Sequence, residues 1–468
     1  MRRLVSILRN NKIIKAGSWY TFTNFFVKGL AFITIPVFTR ILSTEDYGLV
    51  SLYNTWVIIL SILIGLSLNE SIRRAKYDFP EEYDQFSSSI TTLTMIIFSA
   101  FFVVFVFLKT SVQNILGFSD LLFYMISFQA YFSFINELLI TKLRYEYKYK
   151  AVSLISIFSS IFGVLLSIYL IMYIFDGTRH IGKILGNGIP IVFTGIFALF
   201  YLLKKGRRYF DVKYWKYGLV LSMPLIFHNL SNVANNQFDR VLINHYIGES
   251  ATGIYSFAYN IGTIVTVIAV SFSQAWLPWF FEKLKNDEVQ VIRDRAILYR
   301  DSFTFVYVVI LMISTELVKL MADSAYWIGL DIVPWIFMAH YFQFLYAFEV
   351  NVEFALKRTK LISIGTVLAA MINISLNIIL IPIYGYIAAA VATTISYFLL
   401  FVFHYILTSK VIKKSIFGIR FHVHSVLYVL ISTAFFIIFK DWIYIRLLGI
   451  LLTCLLFFKK VIKPHLQG

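Results

Sequence analysis

Fourteen apolar stretches recur along this chain, and most approach the roughly 20 residues needed to cross about 30 Å of hydrocarbon. Segments 47–67, 90–108, 152–174 and 422–439 hold no Lys, Arg, Asp or Glu at all. The stretches start near Ser18, Tyr47, Ser87, Leu121, Ala151, Gly182, Tyr217, Ala251, Asp301, Ile332, Leu361, Ile387, His422 and Trp442. Charged residues are 14% of the chain and hydrophobic ones 59%, with a mean hydropathy of +0.76, whereas soluble domains run near 25% charged. A soluble fold is excluded, and an all-α polytopic membrane protein is expected.

Residues 41–51 (ILSTEDYGLVS) and 246–256 (YIGESATGIYS) read as one pattern written twice, 205 positions apart. Residues 181–191 (IGKILGNGIPI) align with 387–397 (IAAAVATTISY) at nearly the same offset, 206. Each copy holds six stretches. An even number of crossings returns the chain to its starting side, so the copies share one orientation and are related by an axis along the membrane normal. The expected architecture is therefore two six-helix bundles related by a pseudo-two-fold axis, over 1–210 and 211–410. Two additional spans and a tail follow over 411–468, for 14 spans in all, or 12 if 423–458 does not fully insert. Two like halves enclose a central cavity that rocking exposes to either side in turn.

The net charge of +17 could suggest nucleic acid, but the cations sit in alternate loops, which is the membrane-topology pattern. With the N-terminus inside, 33 of the 42 Lys and Arg are cytoplasmic. Outside are Arg40, Lys109, Arg179, Lys183, Lys319, Lys440 and Arg446, and only Lys28 and Arg240 fall within spans. Both termini are expected in the cytoplasm. The basic, amphipathic segment 1–15 reads as a surface helix. A single cysteine, Cys454, excludes an intrachain disulfide. No glycine-rich phosphate loop, Ser-His-Asp arrangement or metal-ligand spacing is present, so neither an enzyme nor a cofactor is expected.

An ionisable side chain deep in a span costs several kcal/mol unless a partner or a wet cavity meets it. Lys28 shares a helix face with Tyr20, Thr21 and Asn24; it is either a structural lysine paired to a carboxylate or a cavity cation facing an anion. In the seventh span His228, Asn232, Asn235 and Asp239 follow spacings of four, three and four, one polar stripe along one face. Arg240 follows Asp239 directly, too far around the helix to pair with it, so each needs another partner. His228 is either a hydrogen-bonded structural residue or a titrating one. Gln129, Ser133, Asn136 and Glu137 mark the fourth span; His340, Gln343, Glu349 and Glu353 mark the tenth. Those carboxylates are expected to meet Arg144, Lys142, Arg358 or Lys357 at the interface. Trp276 and Trp279 read as interfacial anchors, while Gly182 with Gly186 and Ala388 with Ala392 read as close-packing pairs. Pro36, Pro190, Pro224, Pro278 and Pro382 lie in or near spans.

Three passages carry a family resemblance: Arg40, Ile41, Leu42, Glu45, Asp46, Tyr47 and Gly48; the Asp239–Arg240 pair; and Asn377, Ile381, Pro382, Tyr384, Gly385 and Ala388. With the repeat, the chain resembles the Wzx-type polysaccharide flippases of the multidrug, oligosaccharidyl-lipid and polysaccharide exporter superfamily. The resemblance implies a V-shaped exporter fold in the bacterial inner membrane. It also implies transfer of undecaprenyl-pyrophosphate-linked oligosaccharide for O-antigen and lipopolysaccharide, capsule or exopolysaccharide assembly. A polysaccharide polymerase and a chain-length regulator are the implied partners. For such a cargo, Lys28 and Arg240 would neutralise the pyrophosphate, and Asn24, Asn232, Asn235 and Asn236 would bind the sugar. Asp239, with His228, would couple transport to H+ or Na+. A lipid II flippase, or a multidrug or cation exporter of the same superfamily, is the competing expectation.

Overall fold

A computed structural model describes residues 12–412 and 416–462. Apart from turns, the described residues are helical and contain no strand, because in hydrocarbon a helix satisfies its own backbone donors and acceptors. Most of the expected surface segment 1–15 lies outside the described residues; from Lys12 onward the chain is already helical.

The chain divides into two compact units, one running to Leu42 and resuming over Leu49–Val233, the other comprising Ser43–Gly48 and the chain from Ala234 onward. In chain order the helices are α1 (Lys12–Ile41), α2 (Thr44–Gly65), α3 (Asn69–Asp78), α4 (Tyr83–Phe107), α5 (Lys109–Leu116), α6 (Asp120–Tyr145), α7 (Tyr149–Tyr173), α8 (Arg179–Gly206) and α9 (Val212–Gln237). There follow α10 (Asp239–Tyr246), α11 (Glu249–Lys285), α12 (Val289–Met321), α13 (Val333–Ala355), α14 (Thr359–Tyr384), α15 (Tyr386–Ile406), α16 (Ile419–Phe439) and α17 (Ile443–Phe457). The division thus falls inside α9, later than the 210/211 boundary expected from the repeat, and α16 and α17 cluster with the second unit.

Helices stand at all fourteen expected places, but ten of them are long and apolar enough to cross a membrane unaided. An eleventh qualifies if the short 3-10 turn Ser324–Asp331 is joined to α13 across a 52° bend. α6 and α9, which carry the polar residues noted above, fall outside that set, and α17 has only 15 residues.

In the first unit α7 packs along α8. A Cβ on Gly186 would stand 2.3 Å from Ser167 Cα, and one on Gly182 would stand 3.0 Å from the Ile171 nitrogen. Gln129 accepts from the Tyr53 hydroxyl at 3.0 Å, and Asn136 donates to the Ile191 carbonyl at 2.8 Å, so the α6 stripe is spent on packing. At the end of α6, Lys142 meets Asp84 at 2.5 Å and Glu146 at 2.9 Å. Burial pushes the Glu146 carboxyl up, but Lys148 and Lys142 outweigh it and hold it at about 2.

The repeated motif meets itself inside the second unit. A Cβ on Gly48 would lie 1.9 Å from the Glu249 carbonyl oxygen, and one on Gly253 would lie 1.9 Å from the Thr44 carbonyl oxygen. Thr44 and Ser250 share a hydroxyl hydrogen bond of 2.7 Å beside them. The contact is reciprocal, each copy's glycine on the other's helix start, and backbone cannot move aside as a side chain can. Gly48→Ala and Gly253→Ala are each expected to cost about 1–3 kcal/mol by overpacking, read as a lowered unfolding midpoint of the purified protein, with Gly29→Ala, which meets nothing within 4 Å, as the neutral control.

Candidate functional site

α9 stops at Gln237, Phe238 bridges with φ −69° and ψ −21°, and α10 restarts at Asp239. The two units divide the polar stripe earlier, between Val233 and Ala234 within α9. His228 and Asn232 belong to the first unit, where their side chains touch at 3.2 Å and Asn232 is exposed. The second unit takes Asn235, Asn236, Asp239 and Arg240.

Asp239 is fully buried. Its Oδ2 accepts from the Tyr255 hydroxyl at 2.5 Å and from Thr393 Oγ1 at 3.1 Å, while Oδ1 accepts from Asn377 Nδ2 at 2.9 Å. Asn377 also donates to Asn373 Oδ1 at 3.1 Å, and Asn373 donates to Thr393 Oγ1 at 3.3 Å. An unmet carboxylate here would cost several kcal/mol; hydrogen bonds to a charged group return about 1.5–3 kcal/mol each. Asn377 Oδ1 is buried without a hydrogen-bond partner, and among the described residues no group of three His, Cys, Asp or Glu is placed to hold a metal ion.

Arg240 is only 3% exposed. Its Nη1 donates to the Asn236 carbonyl at 2.8 Å and its guanidinium lies 4.7 Å from the Tyr259 ring centre. It therefore does not present its charge at a surface in this conformation. Asn236 Oδ1 accepts from Tyr397 at 3.0 Å and Tyr259 at 3.3 Å, and Asn235 donates to the Thr366 carbonyl at 3.3 Å. Both amides thus have partners within the bundle.

Lys28 and Asn24 lie exposed on α1, and Lys28 has no ion pair among the described residues. Glu137 meets Arg144 at 3.5 Å, as expected, but among the described residues Glu349 and Glu353 pair with no Arg or Lys. Both are fully buried and face His422 and His404. Trp276 is buried as well, stacked on Tyr299 at 4.7 Å, so it is a core residue rather than an anchor.

Tyr255, Asn373 and Thr393 were not singled out from the sequence, and Asn377 was noted only as part of a motif. The signal was present in Asn373 and Asn377, two amides four apart on an otherwise apolar helix.

The sequence pattern of the polysaccharide biosynthesis protein family matches residues 13–283, more than half of the chain. The chain belongs to that family. Among relatives of this family member, a probable low-salt glycan biosynthesis flippase of Haloferax volcanii is 24% identical over 387 residues, 80% of this chain and 79% of the relative. A lipid II flippase, in an inward closed conformation, superposes with a TM-score of 0.72 at 21% identity, over 94% of this chain and 97% of its own. An inward-facing multidrug transporter of the same exporter superfamily superposes at 0.63 with 16% identity, over 83% and 96%. At these identities the likeness is one of fold, that of a multi-pass helical membrane protein.

If the Asp239 cluster acts as a unit, Tyr255→Phe and Asp239→Asn should be non-additive. A double-mutant cycle on thermal unfolding is expected to give a coupling of about 1.5–3 kcal/mol, whereas additive losses would mean that the hydroxyl does not hold the carboxylate.

Proposed function

We propose that this protein flips undecaprenyl-pyrophosphate-linked oligosaccharides across the bacterial cytoplasmic membrane, as a step in O-antigen, capsule or exopolysaccharide assembly. The observation that carries the reading is Lys28, an exposed ammonium in the middle of the 30-residue α1 and the one charged residue between Trp19 and Phe38. A bare cation is not stable against lipid, so this face of α1 needs water or an anion, and a pyrophosphate headgroup supplies the anion. Asn24, one turn earlier on the same face, adds an amide for the sugar.

The prenyl chain needs an apolar path. In the second unit, α12, α16 and α17 enclose a groove of about 410 Å³ whose lining includes Phe305, Met312, Tyr428, Phe435 and Leu452, with Asp301 and Thr304 also on it. Its largely apolar lining suits an isoprenoid chain. In this reading all fourteen helical segments are membrane crossings or parts of them, both termini are cytoplasmic, and a polymerase and chain-length regulator take the product onward.

Asp239 is the coupling group. Protonation would remove its need for the Tyr255, Thr393 and Asn377 donors, and Na+ would replace those donors with the oxygens of Asn373, Asn377 and Thr393. Either event changes how α10 is tied to α14 and α15. Transport is then a population shift between conformations rather than a covalent reaction. Asn232, exposed on α9 beside the half-buried His228, is available to the glycan.

The fold shared with a lipid II flippase keeps a second cargo in view, which one assay separates. In a polysaccharide-flippase-null bacterium, the wild type should restore surface polymer and Lys28→Ala, though inserted normally, should lose it at least ten-fold. Rescue of lipid II flipping with no surface polymer would favour the second cargo, and full activity of Lys28→Ala would make that lysine structural.

A further inference from the structure

The second unit holds another set of ionisable groups that the Asp239 site does not use. Glu349 and Glu353 are one turn apart on α13, both fully buried. Glu349 Oε1 lies 2.8 Å from His422 Nε2 on α16, and its Oε2 accepts from the Thr408 hydroxyl just beyond α15. Glu353 Oε1 lies 2.7 Å from His404 Nδ1 on α15. His404 is fully buried and His422 is 2% exposed.

Three atoms of this cluster have no partner: Glu353 Oε2, His404 Nε2 and His422 Nδ1. His404 Nε2 is directed at Gly365 of α14, where an added Cβ would stand 2.8 Å away. A glutamate beside a neutral imidazole leaves a buried negative charge, which costs several kcal/mol. One added proton per pair makes it neutral, as carboxylate with imidazolium or as carboxylic acid with imidazole. In both forms the far imidazole nitrogen either carries a hydrogen without an acceptor or is an acceptor without a donor, the place a water molecule would occupy when a proton enters or leaves.

Among the described residues no Lys or Arg pairs with the cluster. Arg300 of α12 is held by Asp301 at 2.6 and 2.8 Å and by the Phe421 carbonyl at 3.0 Å. Tyr405 faces His422 from α15 with ring centres 5.0 Å apart, and Tyr346 of α13 stacks on His404 at 5.8 Å. Trp276 of α11 reaches this region only through Phe348, and α14 presents the glycine. The cluster is also distinct in place from Asp239. Thr393 and His404 are eleven residues apart on α15, and Asn377 and Gly365 twelve apart on α14, so at 1.5 Å per residue both helices separate the two centres by about 16–18 Å.

We propose that Glu349–His422 and Glu353–His404 form a proton-binding site at the end of the second unit remote from Asp239, each pair taking up one proton from water and releasing it there. Four ionisable groups buried with three unmet atoms reduce stability relative to apolar packing, and exchange of a proton is a chemistry that needs them.

The test is pH-difference infrared spectroscopy of the full-length protein in lipid, read in the carboxyl, carboxylate and imidazole regions. Glu349→Gln and Glu353→Gln are each expected to remove about half of the cluster's signal and the double variant nearly all of it, together with the coupled imidazole bands; Asp239→Asn should retain it. A double variant with the wild-type spectrum would overturn the proposal. Should the double variant fail to fold, the folded single variants in 13C-glutamate-labelled protein decide: the pH-dependent carboxyl bands must shift with the label and shrink in each single variant, and unshifted or undiminished bands overturn the assignment. No cargo is involved, so failure here is separable from failure of the flippase reading.

Discussion

A carboxylate placed inside a membrane bundle dictates its surroundings, because the aqueous donors it has lost must be replaced within about 3 Å. Asp239 draws such donors from three helices: Tyr255 from α11, Asn377 from α14 and Thr393 from α15. Asn373 then orients Thr393 and Asn377, and the adjacent Arg240 finds Tyr259 and the Asn236 carbonyl. The break after α9 serves the same end, since α10 begins with the residue that needs these contacts. Any change of charge on Asp239 is consequently felt by α10, α11, α14 and α15 together.

The two units meet the problem of polar groups in hydrocarbon differently. In the first, α6 and α8 spend theirs on packing, through Gln129, Asn136 and the small residues of α8, and leave Lys28 exposed on α1. The second encloses its ionisable groups, Asp239, Glu349, Glu353, His404 and His422, at two levels of one bundle. Under the proposed function the open cation would serve the cargo and the enclosed groups would serve small ions.

Much of this was legible in the sequence because hydrocarbon leaves so few solutions. Helix positions followed from apolar runs, and the duplication from a motif whose two glycines prove to pack reciprocally on each other's backbone. Small-residue pairs at Gly182 and Gly186 were likewise readable. Helix periodicity placed Asp239 on a stripe with His228 and Asn232 but could not show the break at Phe238, nor that Asp239 turns inward while Asn232 stays open. Glu349 and Glu353 were read as interfacial because they stand near a helix end. Their partners, His404 and His422, come from helices more than fifty residues away, a pairing that no local pattern encodes. Trp276 was misread for the same reason: an anchor and a core residue look alike until the neighbouring helix is placed.

The most direct measurement uses purified protein in liposomes carrying a fluorescent undecaprenyl-pyrophosphate oligosaccharide, with a quencher outside and an imposed proton or sodium gradient. The account predicts protein-dependent transfer of the glycan between leaflets that quickens when one of these gradients is applied. Transfer no faster than in protein-free vesicles, with either gradient and with a correctly inserted protein, would contradict it.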